Sequence, residues 1–332
     1  MNLYEHTIIA RQDISPAQIK QIQEKYSNIV EKLEGNIVKL ENWGLLNLSY
    51  LIKKNKKGNY IHFKIKADGK IIIEGPKEIL DQTENTQPAI FLVSYAIYQV
   101  IKKETPFDID NANFFAGHSL GEYSALACSG VINFEETIKL LKIRAKAMQN
   151  AVPKNEGGMV AVLGQEINKI NEIIYNNKNK YKCFLANDNS IGQVVVSGKL
   201  YDLEKFVNEL KNLNIKSIKL PVSAPFHCIL MNPATNIMRE EIKNINFSQP
   251  KNNIVSNVTA EPSNNPDEIK NLLIQQIEKP VRWRESIINI IKAGNQKFIE
   301  IGPGKVLSGL VKRIDRNVKI TQVNNIKDLD NL

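Results

Sequence analysis

Gly117-His118-Ser119-Leu120-Gly121 is a GxSxG pentad between the apolar run Phe114-Phe115-Ala116 and the amphipathic segment that begins Glu122-Tyr123-Ser124. The pattern predicts a short buried strand, a sharp turn and a helix, the order of a nucleophile elbow. In such a turn the serine backbone is strained and its hydroxyl projects above the sheet. The helix N-terminus there offers free N–H groups and a favourable dipole for developing negative charge. Gly117 and Gly121, lacking Cβ atoms, are both expected to leave room for the turn. A glycine-flanked helix start without chemistry is the plainer alternative.

A serine hydroxyl needs a base. The chain holds four histidines. His6 and His62 fall in expected strands of the N-terminal segment. His118 precedes the serine and should face away from it. His227 remains, in the proline-punctuated loop Pro221-Val222-Ser223-Ala224-Pro225-Phe226-His227-Cys228, the kind of segment on which a scaffold presents a catalytic group.

These residues must be held by a sizeable fold, and 332 residues suffice for one or two domains. With 42% hydrophobic and 24% charged residues, the composition excludes disordered and collagen-like classes. No apolar run reaches the roughly 20 residues of a membrane span, and the start MNLYEHTIIARQD lacks the pattern of a secretory signal. Cys128, Cys183 and Cys228 are widely spaced, which argues against disulfide or zinc frameworks and fits a reducing cytoplasm. The net charge of +9 fits a lysine-rich surface, or attraction to anionic partners such as nucleic acid, CoA phosphates or an acidic carrier protein.

From the N-terminus, Leu3–Ala10 reads as a strand, Ser15 as an N-cap, Pro16–Leu33 as a helix ended by Gly35, Asn36–Leu51 as a strand, Lys53–Gly58 as a basic turn and Tyr60–Ala67 as a strand. In that last strand Ile61, Phe63 and Ile65 alternate with Tyr60, His62 and Lys64. Beyond Gly75-Pro76 the texture becomes α/β. A helix is expected over Gln87–Lys102. Strands are expected at Met159–Leu163, Tyr181–Ala186, Gln193–Ser197 and Ile215–Leu220, with helices at Glu166–Asn176 and Tyr201–Leu213. This makes a compact α+β insert. Asn253–Val258 and Lys297–Ile301 return to buried-strand patterning.

AGHSLGEYSAL, PVSAPFHCILMNPA and IEIGPGKVLSGLVKR follow one another in an order and spacing that resemble the malonyl-CoA:acyl carrier protein transacylases, from about Ile73 to the C-terminus. The resemblance implies an α/β-hydrolase-like acyltransferase core over 73–156 and 223–332, with a small ferredoxin-like subdomain over 157–222. It implies that Ser119 takes the malonyl group from CoA with His227 as base and passes it to the phosphopantetheine thiol of acyl carrier protein, in fatty-acid biosynthesis. It further implies an oxyanion contact from the Leu120 N–H and a backbone carbonyl, at Gln276 in QQIEKPVRW, that orients the histidine. Arg144 would clamp the malonyl carboxylate, a task suited to a planar guanidinium. Phe226 matches a malonyl-selective pattern. Asn189, in Asn187-Asp188-Asn189-Ser190, would lie near the pocket, a plain turn asparagine being the alternative. Malonyl-CoA is then a substrate, and neither cofactor nor metal is expected. Gly302-Pro303-Gly304-Lys305 lacks the spacing of a phosphate loop and is expected to be a strand-to-helix turn.

The N-terminus departs from that family, whose opening strand and GQGSQ loop, the source of a second oxyanion donor, occur nowhere in the chain. Residues 1–72 instead resemble small-subunit ribosomal protein six through LYEHTIIARQDIS, Trp43-Gly44 and the basic hairpin Lys53–Lys57. That family is a β-α-β-β-α-β domain that binds ribosomal RNA; here a partial β-α-β-β segment is expected, without the last helix and strand. A fusion near Lys70–Gly75 through GKIIIEGP is expected, with malonyl transfer impaired by the missing loop. A serine hydrolase of the thioesterase kind, or a ribosomal RNA-binding fusion protein, are the alternatives.

Overall fold

The computed structural model describes residues 2–32, 35–52, 55–67 and 83–332, which fall in two compact units, Met1–Gln82 and Thr83–Leu332. The expected boundary at 72/73, the junction Lys70–Gly75, the helix end at Leu33 and the hairpin residues Lys53 and Lys54 lie outside the described residues.

In the first unit β1 (Asn2–Arg11), α1 (Pro16–Lys32), β2 (Asn36–Ile52) and β3 (Asn55–Ala67) form an antiparallel sheet of order β1-β3-β2 with one helix against it. Ser15 caps α1: its Oγ accepts from the Gln18 N–H, and Gln18 Oε1 accepts from the Ser15 N–H. Ile61, Phe63 and Ile65 face inward as their alternation predicts, against Ile19, Ile22, Tyr26 and Val30 of the helix. His62 departs from the exposed register. It is buried because Trp43 stacks on its ring at 4.5 Å and Thr7 Oγ1 lies 2.8 Å from Nδ1.

The second unit opens with α2 (Thr83–Glu104), longer than expected because Pro88 is absorbed near its N-terminal end, where it costs a single backbone bond. The strand β4 (Phe114–Ala116) leads into α3 (Leu120–Cys128), and α4 (Phe134–Asn150) packs beside it. β4 is half-buried rather than buried. Next come β5 (Gly157–Leu163), α5 (Ile167–Asn176), β6 (Cys183–Ser190), β7 (Gln193–Lys199), α6 (Leu200–Asn212) and β8 (Lys216–Lys219). Their sheet order β6-β7-β5-β8, antiparallel with two helices, is the ferredoxin-like arrangement of the expected insert. It has its own apolar core, with Val160, Val162, Ile170, Val196 and Phe206 at its centre. The polar run Asn187–Ser190 is not a turn: it forms the end of β6, where two register shifts and a bridge from Asn187 to Val281 replace regular pairing.

The chain then re-enters the larger subdomain through α7 (Asn232–Lys243), β9 (Asn253–Val255), β10 (Pro262–Ser263), α8 (Pro266–Gln275), α9 (Trp283–Lys292), β11 (Lys297–Ile301), α10 (Val306–Ile314) and β12 (Lys319–Val323). β9 lies parallel to β4, Val255 opposite Ala116, so the residues just after each strand emerge side by side. It stops at Val255, three residues short of the expected Val258, because the next residues turn into the site. Residues 302–305 form the turn between β11 and α10. No helix among the described residues is long and apolar enough to cross a membrane.

Candidate active site

Ser119 sits between β4 and α3 with φ of 54°, a conformation that costs free energy for any non-glycine residue and persists only where the surroundings enforce it. Gly117 makes the turn possible. A Cβ there would lie 2.0 Å from the Gly121 carbonyl carbon and oxygen. A Cβ on Gly121 would meet nothing within 4 Å, so the expectation that both glycines clear space is corrected: Gly121 contributes the backbone that crowds Gly117. Asn257, just past the end of β9, braces the elbow: its Oδ1 accepts from the Ser119 N–H at 2.7 Å and its Nδ2 donates to the Gly117 carbonyl at 2.8 Å. Leu120 opens α3, so its N–H has no acceptor within the helix.

His227, also at positive φ (57°), places Nε2 2.8 Å from Ser119 Oγ. Its Nδ1 lies 2.9 Å from the Gln276 main-chain carbonyl, which can only accept. The proton therefore belongs on Nδ1, and Nε2 is free to accept from the serine hydroxyl. The loop that carries His227 is packed tightly. A Cβ on Gly157 would meet Pro225 Cδ at 2.3 Å, and Ser197 Oγ donates to the Phe226 carbonyl at 2.6 Å. Burial, then the Arg144 charge, push the His227 pKa down to about 3, against the opposing hydrogen bond to the Gln276 carbonyl. The imidazole is thus a neutral base at neutral pH.

Arg144 is 1% exposed, although it lies on a helix whose composition would suit a solvated charge. Its Nη1 donates to Gln87 Oε1 at 2.7 Å, and Nη2 donates to Gln276 Oε1 at 2.9 Å and to Ser119 Oγ at 3.1 Å. The guanidinium carbon stands 5.3 Å from the centre of the Tyr123 ring, a cation–π contact. Glu122, also 1% exposed, accepts on Oε2 from Gln276 Nε2 at 2.8 Å and from the Asn257 N–H at 3.2 Å. Burial lifts its carboxyl to about 7, opposed by those hydrogen bonds and by the Arg144 charge.

The structure thus brings Ser119, His227, Arg144 and Gln276 together. Asn189 and Phe226 stand one step away. Asn189 Oδ1 lies 2.8 Å from Nε2 of His118, whose ring points from the elbow toward β6. The Phe226 ring packs, half-buried, between two apolar clusters. Three participants were not singled out from the sequence. Glu122 lies three residues after Ser119, where its spacing suggests helix capping. Gln87 carries no signal beyond polarity inside an amphipathic helix. Asn257 becomes legible only once β9 is known to lie beside β4. No cluster of three or more His, Cys, Asp or Glu residues suited to a metal ion occurs among the described residues.

A strained serine on a glycine elbow, a neutral histidine held by a carbonyl and a buried arginine at the serine hydroxyl define a serine-nucleophile acyl-transfer site. An acyl transferase domain model matches residues 59–328, and a Ribosomal protein S6 model matches residues 3–82. The malonyl CoA-acyl carrier protein transacylase of Haemophilus influenzae is 37% identical over 257 residues, 77% of this chain and 82% of that protein. The crystal structure of acyl-carrier-protein-S-malonyltransferase from Bartonella henselae superposes with a TM-score of 0.75 at 39% identity, covering 78% of this chain and 82% of that one. A malonyl-transacylase solved in complex with its type II PKS acyl-carrier protein gives 0.74 at 36% identity, covering 77% and 82%. The chain belongs to the malonyl CoA-acyl carrier protein transacylase family.

Proposed function

We propose that this chain transfers a malonyl group from CoA to the phosphopantetheine thiol of acyl carrier protein through a malonyl ester on Ser119. The observation that carries this function is the convergence of His227 Nε2 and the buried Arg144 guanidinium on one hydroxyl, Ser119 Oγ, at 2.8 and 3.1 Å. As Oγ attacks the thioester carbonyl, its proton passes to His227 Nε2. The Gln276 carbonyl holds Nδ1–H and stabilises the imidazolium. The Leu120 N–H faces the developing oxyanion. Collapse breaks the C–S bond, and His227 returns the proton to the departing CoA sulfur. The carrier thiol then gives its proton to His227 and attacks the ester, and Ser119 leaves with that proton.

Arg144 pairs the malonyl carboxylate bidentately. Its charge is one cause of the low His227 pKa. A bound carboxylate offsets that charge, so the base strengthens when the acidic acyl group is in place. Phe226 and Asn189 shape the pocket from the His227 loop and from β6. The chemistry uses side chains and backbone groups alone, with malonyl-CoA as substrate and no cofactor. The unpaired thiols of Cys128, Cys183 and Cys228 fit a reducing cytoplasm.

The test is mass spectrometry after incubation with malonyl-CoA. A malonyl adduct is expected on the native chain and absent from Ser119→Ala. An adduct that survives the substitution refutes the assignment. Rapid release of free malonate without carrier protein would point to a hydrolase instead.

A further inference from the structure

We propose that Glu122 is a positioning residue that fixes the orientation of both His227 and Arg144 through Gln276; this rests on the malonyl transfer proposed above. Ser119 and Glu122 have the Ser-x-x-Glu spacing of a capping box, yet they do not form one. Ser119 Oγ turns to His227 and the Glu122 carboxylate turns into the core. A carboxyl group buried to this degree is costly unless its hydrogen bonds do something in return.

What they do is set an amide. The Gln276 side chain lies between Glu122 and Arg144. Its Nε2 donates to Glu122 Oε2 at 2.8 Å and to the Ser119 carbonyl at 2.8 Å, and its Oε1 accepts from Arg144 Nη2 at 2.9 Å. The Ser119 carbonyl can only accept and a guanidinium can only donate, so the amide has one permitted orientation, the one in which Nε2 also reaches Glu122. The main-chain carbonyl of the same residue receives His227 Nδ1–H at 2.9 Å. Gln276 therefore couples the base to the carboxylate clamp, and Glu122 holds Gln276 from behind. Oε2 of Glu122 also receives the N–H of Asn257, whose side chain braces the elbow, so one carboxylate oxygen touches two supports of the site, Gln276 and Asn257.

The test measures single-turnover acylation by malonyl-CoA and by acetyl-CoA, with thermal unfolding of every variant. Glu122→Gln presents an amide oxygen to both donors and should stay within a few-fold of the parent. Glu122→Leu leaves buried donors unpaired and should slow malonyl acylation on the order of 10- to 100-fold, while narrowing the malonyl-over-acetyl preference. Gln276→Met keeps the main-chain carbonyl and should reproduce that pattern, which keeps the proposal testable if Glu122→Leu does not fold. The double variant should be no slower than the slower single one, because both remove one unit. Equal losses for the two substrates, failure of Glu122→Gln to retain activity, or multiplicative losses in the double variant would overturn the positioning role. No adduct on the unsubstituted chain would overturn the proposed function and this role with it.

Discussion

Glu122 and His227 should tilt the pH dependence of folding in opposite directions, and replacing either should expose the other. The Glu122 pKa is raised from 4.5 to about 7 by burial, and the His227 pKa is lowered from 6.5 to about 3, chiefly by burial. For Glu122 the stabilising contribution is complete below pH 4.5 and is lost as pH rises through 7. For His227 it is complete above pH 6.5 and is lost as pH falls toward 3. Each unit of pKa difference is worth about 1.4 kcal/mol, so the full effects are roughly 3 and 5 kcal/mol. Between pH 4.5 and 6.5 the two slopes cancel. Glu122→Gln keeps both hydrogen-bond donors paired and removes one titration. Its stability should rise by about 1.4 kcal/mol per pH unit across that window relative to the parent. His227→Asn, which tolerates the positive φ at this position, should show the opposite slope. Urea unfolding at several pH values is the assay. Of the two tryptophans, Trp43 lies in the first unit and Trp283 in the second, so a Trp43→Phe background makes fluorescence report the unit that holds the site. Parallel curves for all three proteins would refute these ionisation states.

Two further outcomes are expected. Arg144→Ala should lower malonyl acylation on the order of 10- to 100-fold, the worth of charge-assisted hydrogen bonds; acetyl acylation should be spared or raised, and equal losses in acylation assays with the two CoA esters would make Arg144 merely structural. Replacing residues 1–72 by a family-type strand and GQGSQ loop should raise malonyl transfer to carrier protein on the order of 100- to 1000-fold by adding an oxyanion donor beside the Leu120 N–H; equal transfer rates and one shared unfolding temperature would refute the expectation that a donor is missing.

Local chemistry explains which parts of the fold were legible. Ser15-Pro16 marked the start of α1, and the alternation of Ile61, Phe63 and Ile65 marked the buried face of β3. The ferredoxin-like insert showed as six short periodic segments in the right order. Reading failed where a residue's role depends on something distant in sequence. His62 belongs to the polar half of its alternation but is covered by Trp43. Asn187–Ser190 has turn composition, yet its backbone is claimed by Val281. β9 stops early because Asn257 is needed at the elbow, and no local pattern announces that.

The same division runs through the site. Ser119 and His227 declare themselves because strain has a local signature: Gly117, which the turn requires, and a proline-punctuated loop. Arg144 and Glu122 declare nothing, since on a helix either one reads as a solvated charge. Burial alone changes their meaning, and burial follows from the packing of α2, α4 and the end of α8 around the elbow. Once inside, a guanidinium and a carboxylate cannot stay unpaired, and Gln276, which can face both, supplies the link. The polar residues that local patterns conceal here, Gln87, Glu122 and Asn257, are buried and linked by hydrogen bonds through Arg144 and Gln276. In a serine site of this kind the nucleophile can be sought from local spacing, but its supports have to be sought from buried polar groups that contact it.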